Sequence, residues 1–186
     1  MQNHYRRRNS LRLAEFDYSM PNAYFVTMVC QNRIDLFGKI VDGQIVHNDT
    51  GQMVQQIWLD MLNRFQSILL DEFILMPNHF HGIIVLQDRP VEMKPVGASL
   101  VDARFEKIRV GTSPTPTIGD IIGAFKSITT MEYILGVENH GWPPFDRKIW
   151  QRGYYDRIIR NEKELDTFRK YISTNPLRWK EDSENR

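Results

Sequence analysis

Apolar positions along this chain change period several times, and each change marks an element. From Tyr24 the run YFVTMVC is β-branched and aromatic, with Pro21-Asn22 before it and Gln31-Asn32-Arg33 after it. That composition predicts a central strand over about 24–30. A turn-rich stretch follows, carrying Gly38, Asp42-Gly43 and Asn48-Asp49. Val54, Ile57, Trp58, Met61, Leu62 and Phe65 then recur at spacings of three and four. They predict a helix over about 51–66, capped by Asp49 or Thr50.

In ILLDEFILMPNHFHGIIVLQ the period returns to that of a strand. Phe73–Met76 and Phe80–Leu86 read as two strands broken by Pro77-Asn78, neighbours in a hairpin. The stretch 87–116 holds Pro90, Pro95, Pro114 and Pro116 among glycines and scattered charges, and reads as a flexible insertion within the domain. Thr117 opens a second helical pattern through Ile118, Ile121, Ile122, Phe125, Ile128 and Thr129, expected to end before Gly136. The stretch KIWQRGYYDRII, Lys148–Ile159, reads as a short aromatic strand or two. A last helix starts near Asn161, with Glu164 at capping-box spacing and an apolar stripe of Leu165, Phe168 and Ile172, and stops about Asn175-Pro176. The tail KEDSENR, over 180–186, is expected to be solvated. Strand, helix, strand, strand, helix, strand, helix is a βαββαβ order with one helix added, an α+β chain on an antiparallel-rich sheet.

Composition narrows the chemistry. At 186 residues the chain suits one domain. The 24 Lys and Arg against 23 Asp and Glu leave a net charge of +1, so no bulk field does the binding and any contact with phosphate must be local. One cysteine, Cys30, excludes an internal disulfide framework and a cysteine-rich zinc site, and is expected as a small buried hydrophobe. No apolar run is long enough for a membrane span, and MQNHYRRRNS lacks the apolar core of a secretory signal, so a cytoplasmic protein is expected.

Several residue sets carry candidate chemistry. His79 and His81 sit two apart in strand-like sequence, so both leave one face while Phe80 leaves the other. They read either as chelators of a divalent metal or as surface histidines near a turn. Tyr171 and Asn175, four apart, share a helix face. They read either as a nucleophile with an amide ligand for a hard metal, or as an edge tyrosine with a helix-ending asparagine. Arg147, Lys148, Trp150, Arg152, Tyr154, Tyr155, Arg157 and Arg160 interleave cations with aromatics, a pattern that suits single-stranded nucleic acid or a merely wet strand. Arg6, Arg7, Arg8 and Arg12 make residues 1–20 a basic arm, for phosphate contact or for solubility. Lys126 could reach phosphate. His47 and His140 are expected to be exposed. No Gly-rich phosphate loop is present, and none of these sets calls for a nucleotide cofactor.

Five phrases, taken together and in order, carry a family resemblance: AYFVTMVCQNRIDLFG at 23–38, MPNHFHGIIVL at 76–86, IGAFKSITT at 122–130, IWQRGYYDRIIRNEKEL at 149–165 and YISTNPLRW at 171–179. The chain resembles the REP-associated tyrosine transposases of the insertion-sequence-200-like superfamily, which are HUH endonucleases with a single tyrosine. The resemblance implies a ferredoxin-like or RRM-like palm over 21–179, with the nucleophile on the added helix. It implies Tyr171 as nucleophile and His79, His81 and Asn175 as ligands of Mg2+ or Mn2+, although relatives often carry Gln at the position of Asn175. Arg157 stands where relatives often have His. The implied partner is single-stranded or hairpin DNA, cleaved through a 5′-phosphotyrosyl link, by a monomer or a homodimer. A protein that binds structured DNA or RNA with the same fold and without cleavage is the alternative.

Overall fold

The computed structural model describes residues 22–87, 116–182 and 184–185. The basic arm with Arg6, Arg7, Arg8 and Arg12, and 88–115 of the proposed insertion, lie outside the described residues. In chain order the elements are β1 (Ala23–Val29), β2 (Gly38–Val41), β3 (Gln44–His47), α1 (Asp49–Arg64), β4 (Ile68–Leu75), β5 (His79–Leu86), α2 (Ile118–His140), β6 (Tyr155–Ile159) and α3 (Glu162–Thr174). Short 3-10 helices occupy Gln31–Arg33 and Pro176–Glu181. Among the described residues no helix is long and apolar enough to cross a membrane.

The four long strands form one antiparallel sheet in the order β4-β5-β1-β6. In palm terms that is second, third, first, fourth, so the βαββαβ order closes into the expected ferredoxin-like α+β palm. Period two sends Tyr24, Val26 and Met28 of β1, and Phe80 and Ile84 of β5, to one face. There they meet Trp58 of α1 and Ile121, Phe125 and Ile128 of α2 in the main core. The opposite face carries Phe25, Ile83 and Ile159, which α3 covers with Leu165, Phe168 and Ile172. The sheet is therefore packed on both faces, and α3 lies over the histidine side.

Gly82 is fixed by packing on the core face. A Cβ there would stand 2.7 Å from the Phe80 ring and 2.9 Å from Trp58. Gly82→Val is expected to cost about 1–3 kcal/mol through overpacking, read as a lower denaturation midpoint; an unchanged midpoint would contradict this packing.

Local details differ from the sequence expectations for identifiable reasons. Asn48, not Asp49 or Thr50, caps α1, with its Oδ1 accepting from Gly51 N at 2.9 Å. α2 does not stop before Gly136; it continues to His140 and ends on Gly141 in the left-handed region (φ 68°), while Gly136 leaves room for the Trp142 ring. The turn-rich stretch contains the β2–β3 hairpin. His47 at its end is half-buried and pairs through Nε2 with Leu75 O at 2.9 Å, whereas His140 is exposed as expected. Between 148 and 159 the only ladder is β6, preceded by an isolated bridge from Trp150 to Cys30. Cys30 is buried, as expected.

Candidate active site

β5 sets His79 opposite Val29 and His81 opposite Thr27. Both imidazoles leave the face covered by α3, with ring centroids 4.6 Å apart. Each ring is held from behind. His79 Nδ1 lies 2.9 Å from Asn78 Oδ1. That oxygen can only accept, since Asn78 Nδ2 donates to Glu184 O and Arg33 O. His79 therefore carries its proton on Nδ1 and keeps a lone pair on Nε2. His81 Nδ1 is 2.8 Å from Thr27 Oγ1, which turns its Nε2 toward the cleft. Burial pushes the His79 pKa down to about 4, against the opposing pull of Asp182 and Asn175. His81 falls well below its ordinary value through burial and then the charge of His79. Both rings are neutral at neutral pH, the form that ligates metal.

α3 brings the tyrosine. The Tyr171 hydroxyl lies 3.4 Å from His81 Nε2, and its ring meets His81 edge-on at 5.2 Å between centroids. Phe25 is the platform beneath them, stacked on His81 at 5.3 Å and on Phe168 at 4.5 Å. Sequence reasoning passed over Phe25, whose only signal was its place in the strand facing His81. Tyr171 is 38% exposed and opens on a cleft of about 340 Å³ with Phe25, Thr27, His81, Tyr155 and Phe168. Burial, then the negative charge of Asp182, holds its hydroxyl above the ordinary tyrosine pKa. Tyr171 and the histidines come together within a single chain.

Asn175 keeps helical angles, φ −58° and ψ −44°. The bias that the following proline imposes is overridden, because Pro176 starts a 3-10 turn whose first residue needs no N–H partner. Its side chain is buried; Nδ2 donates to Asp182 Oδ2 at 3.0 Å, and Oδ1 has no hydrogen-bond partner among the described residues. Asp182 is the residue that sequence reasoning missed. Its Oδ2 lies 3.9 Å from His79 Nε2, and the ligand atoms of His79, His81 and Asp182 all fall within 4.8 Å of one another. The tail is solvated only in part: Lys180 and Glu181 are exposed, whereas Asp182 and Glu184 turn inward. Trp179 stacks on the His79 ring at 5.9 Å, the Asp182 side chain is buried, and the Glu184 carboxylate pairs with Arg33 at 3.0 Å. A run of charges resembles a wet tail, and only the long-range return to β5 shows otherwise.

Two observations fit this cluster to a divalent cation. Among the described residues His79 Nε2 and Asn175 Oδ1 are buried with no hydrogen-bond partner, a costly state unless something else satisfies them. The donors present, two imidazole nitrogens, a carboxylate and an amide oxygen, make a nitrogen-and-oxygen set of the kind that divalent ions accept. His79, His81 and Asp182 can hold a metal ion.

The basic-aromatic segment is not one patch. Trp150 offers almost no exposed surface: it is buried, packs against Phe37 and Phe125, and donates Nε1 to Thr129 Oγ1. The Lys126 ammonium is turned inward onto Gln151 O and Gly153 O, so it ties down a loop and does not reach outward. Tyr154 packs against the main core. Tyr155 and Arg157 face the cleft, with the Arg157 guanidinium 5.6 Å from the Phe168 ring centroid. Arg160 is exposed at the start of α3, and its N–H donates to Glu164. Arg147, Lys148 and Arg152 are exposed beside α2, on the other side of the sheet.

A bidentate pair fastens the tyrosine helix. Arg169 of α3 donates through Nε to Asp71 Oδ1 at 2.9 Å and through Nη2 to Oδ2 at 2.6 Å. Asp71 stands in the irregularity of β4 between Leu70 and Phe73. The hydrogen bond from Arg169 holds the Asp71 carboxyl below its ordinary pKa of 3.8. A lowered carboxylate pKa gives stability that is present above the ordinary value and lost as pH falls through the folded one. The stability lead of the wild type over Asp71→Asn should therefore be full at pH 6 and shrink below about pH 4. A lead that stays constant down to pH 2.5 in denaturant titrations would refute the pair's contribution.

The chain is thus an antiparallel palm with a His-x-His pair on its third strand and a tyrosine helix laid over that pair. An uncharacterized protein of Haemophilus influenzae (strain Rd KW20) is 35% identical over 178 residues, spanning 94% of this chain and 91% of that one, and the chain belongs to the same family. No family model matches the chain. Among solved structures, a REP-associated tyrosine transposase bound to a REP hairpin aligns with a TM-score of 0.48 at 18% identity, over 89% of this chain and 74% of that one. A candidate transposase from Deinococcus radiodurans R1 aligns at 0.44 and 11% identity, over 88% and 96% of the two chains.

Proposed function

We propose that this protein is a metal-dependent endonuclease and strand transferase acting on single-stranded or hairpin DNA through a 5′-phosphotyrosyl intermediate, in the cytoplasm and without a nucleotide cofactor. The observation that carries the reading is the Tyr171 hydroxyl 3.4 Å from His81 Nε2, beside a histidine nitrogen and an amide oxygen that are buried without hydrogen-bond partners among the described residues. Tyr171 and its histidines lie together in one chain, an arrangement that supports a site built in cis, whether the protein acts as a monomer or a homodimer.

His79, His81 and Asp182 would hold Mg2+ or Mn2+, with the free Oδ1 of Asn175 as a further oxygen. A cation there would offset the charge of the scissile phosphate and of Asp182, easing ionisation of the tyrosine. Tyr171 then attacks phosphorus through its phenolic oxygen. The new P–O bond joins the 5′-phosphate to Tyr171, the old P–O3′ bond breaks, and the freed 3′ oxygen takes up a proton as the tyrosine loses one. Attack by a 3′-hydroxyl reverses the step and rejoins DNA, so the link conserves the phosphodiester without an energy source. Phe25, itself stacked on Phe168, meets the tyrosine ring edge-on and fixes it against the sheet. Tyr155 and Arg157 supply a stacking surface and a phosphate contact at the cleft wall, with Arg160 beside them.

The test uses hairpin DNA with a single-stranded flank, labelled on the 3′ side of the cut, in the presence of Mn2+ or Mg2+. The expected result is a detergent-resistant protein-DNA adduct that a chelator prevents. Tight binding without an adduct under either ion would instead identify a protein that binds structured DNA without cutting it.

A further inference from the structure

The loop leading into β6 leaves a second cleft on the sheet face opposite the histidines. It has a volume of about 540 Å³ and is walled by Met131 and Ile134 of α2 and by Arg147, Lys148, Ile149 and Arg152 of the loop. Its character is amphipathic. Ile134 is 42% exposed, and with the half-buried Met131 it offers an apolar wall. The three cations are exposed at the rim, and among the described residues no acidic side chain lines the cleft. Arg147 lies 3.8 Å from Asp146, but both side chains are almost fully exposed, and such a pair holds its cation only weakly. Lys126 pins the loop from beneath through Gln151 O and Gly153 O, so the rim is positioned before anything binds.

An apolar wall below a ring of cations is the complement of an unpaired nucleotide, whose base is flat and apolar on its faces and whose phosphates are anionic. The cleft is open, and its volume gives room for one nucleotide. It is also continuous with the catalytic side: Gly153 lines this cleft, Tyr155 lines the other, and β6 is the edge strand between them. Two strand residues span about 7 Å.

We propose that this cleft is a nucleic-acid subsite that takes one unpaired nucleotide of the strand being cut, its base against Met131 and Ile134 and its phosphates at Arg147, Lys148 and Arg152. The proposal rests on the nuclease reading for the identity of its strand. It adds that the substrate wraps the β6 edge and is held on both sides of the sheet.

The test compares two fluorescent hairpins, one ending just past the cut site and one carrying four further unpaired nucleotides, with the extension tried on each side. In the wild type the extension on one side should tighten binding about tenfold. In Lys148→Ala/Arg152→Ala the advantage should fall below about twofold, and the salt dependence of the extended probe should flatten by roughly 1.4 in log-log slope, as expected for two lost phosphate contacts. Ile134→Asp should remove the advantage as well, while thermal melting of each variant verifies its fold. No advantage in the wild type, an equal advantage in the variants, or competition by oligoglutamate as effective as by the oligonucleotide would overturn the subsite. The Tyr171 adduct is scored in the same samples with Mn2+. An adduct without an extension advantage rejects the subsite alone, and an advantage without an adduct rejects the nuclease alone.

Discussion

Tyr171→Phe should abolish the covalent protein-DNA product and slow cleavage by at least about 10³-fold. The substitution removes one oxygen and leaves the ring against Phe25 and His81. Fold, cation binding and DNA affinity should therefore stay near wild type, and only the bond-forming atom is lost. Tyr155 also lines the cleft and is the rival nucleophile. Its hydroxyl has no hydrogen bond to either histidine, so Tyr155→Phe should keep the adduct. Gel-shift titration beside a denaturing adduct assay separates the two effects. An adduct that survives Tyr171→Phe and disappears with Tyr155→Phe would move the nucleophile from α3 to β6.

The second large effect concerns the cation. Saturating Mn2+ at a hundredfold excess over its Kd should stabilise the wild type by about 2.7 kcal/mol, a rise of roughly 5–10 °C in Tm for a chain of this size. Asp182→Ala should remove most of that rise, because Asp182 is the only acidic side chain among the described residues grouped with both histidines. Asn175→Ala should weaken the rise less, since it deletes a donor to Asp182 and one free oxygen but leaves the carboxylate. A full Mn2+ shift in Asp182→Ala would show that the C-terminal segment closes the site without taking part in binding the ion.

Much of the palm is legible in the sequence because its elements are local in period. YFVTMVC, FHGIIVL and the helical stripes of α1, α2 and α3 each repeat long enough to fix which face is buried, and that alone aligns His79 with His81. The β2–β3 hairpin was not, because two four-residue strands carry too few alternations to stand out from turns. The end of α2 misled for a different reason. Gly136 is required by the approach of Trp142, a contact that no local pattern encodes.

At the site, the same division holds. The two histidines and Tyr171 follow from strand and helix periods. Asp182 does not, since a charged stretch after the last helix resembles solvent-facing tail until Trp179 packs on His79 and carries the chain back to β5. The basic-aromatic segment shows the reverse error. Eight side chains adjacent in sequence suggest one surface, yet Gly153 turns the chain with φ 84° just ahead of the edge strand, and core packing consumes Trp150 and Tyr154. Cations that read as a single patch are divided between the two faces of the sheet.

The most direct test is the mass of the protein after incubation with hairpin DNA and Mn2+, followed by peptide mapping. The account predicts a species heavier by the fragment 3′ of the cut, attached through its 5′-phosphate to the peptide that contains Tyr171. DNA cut without any covalent species, or a covalent species mapped to a peptide lacking Tyr171, would contradict it.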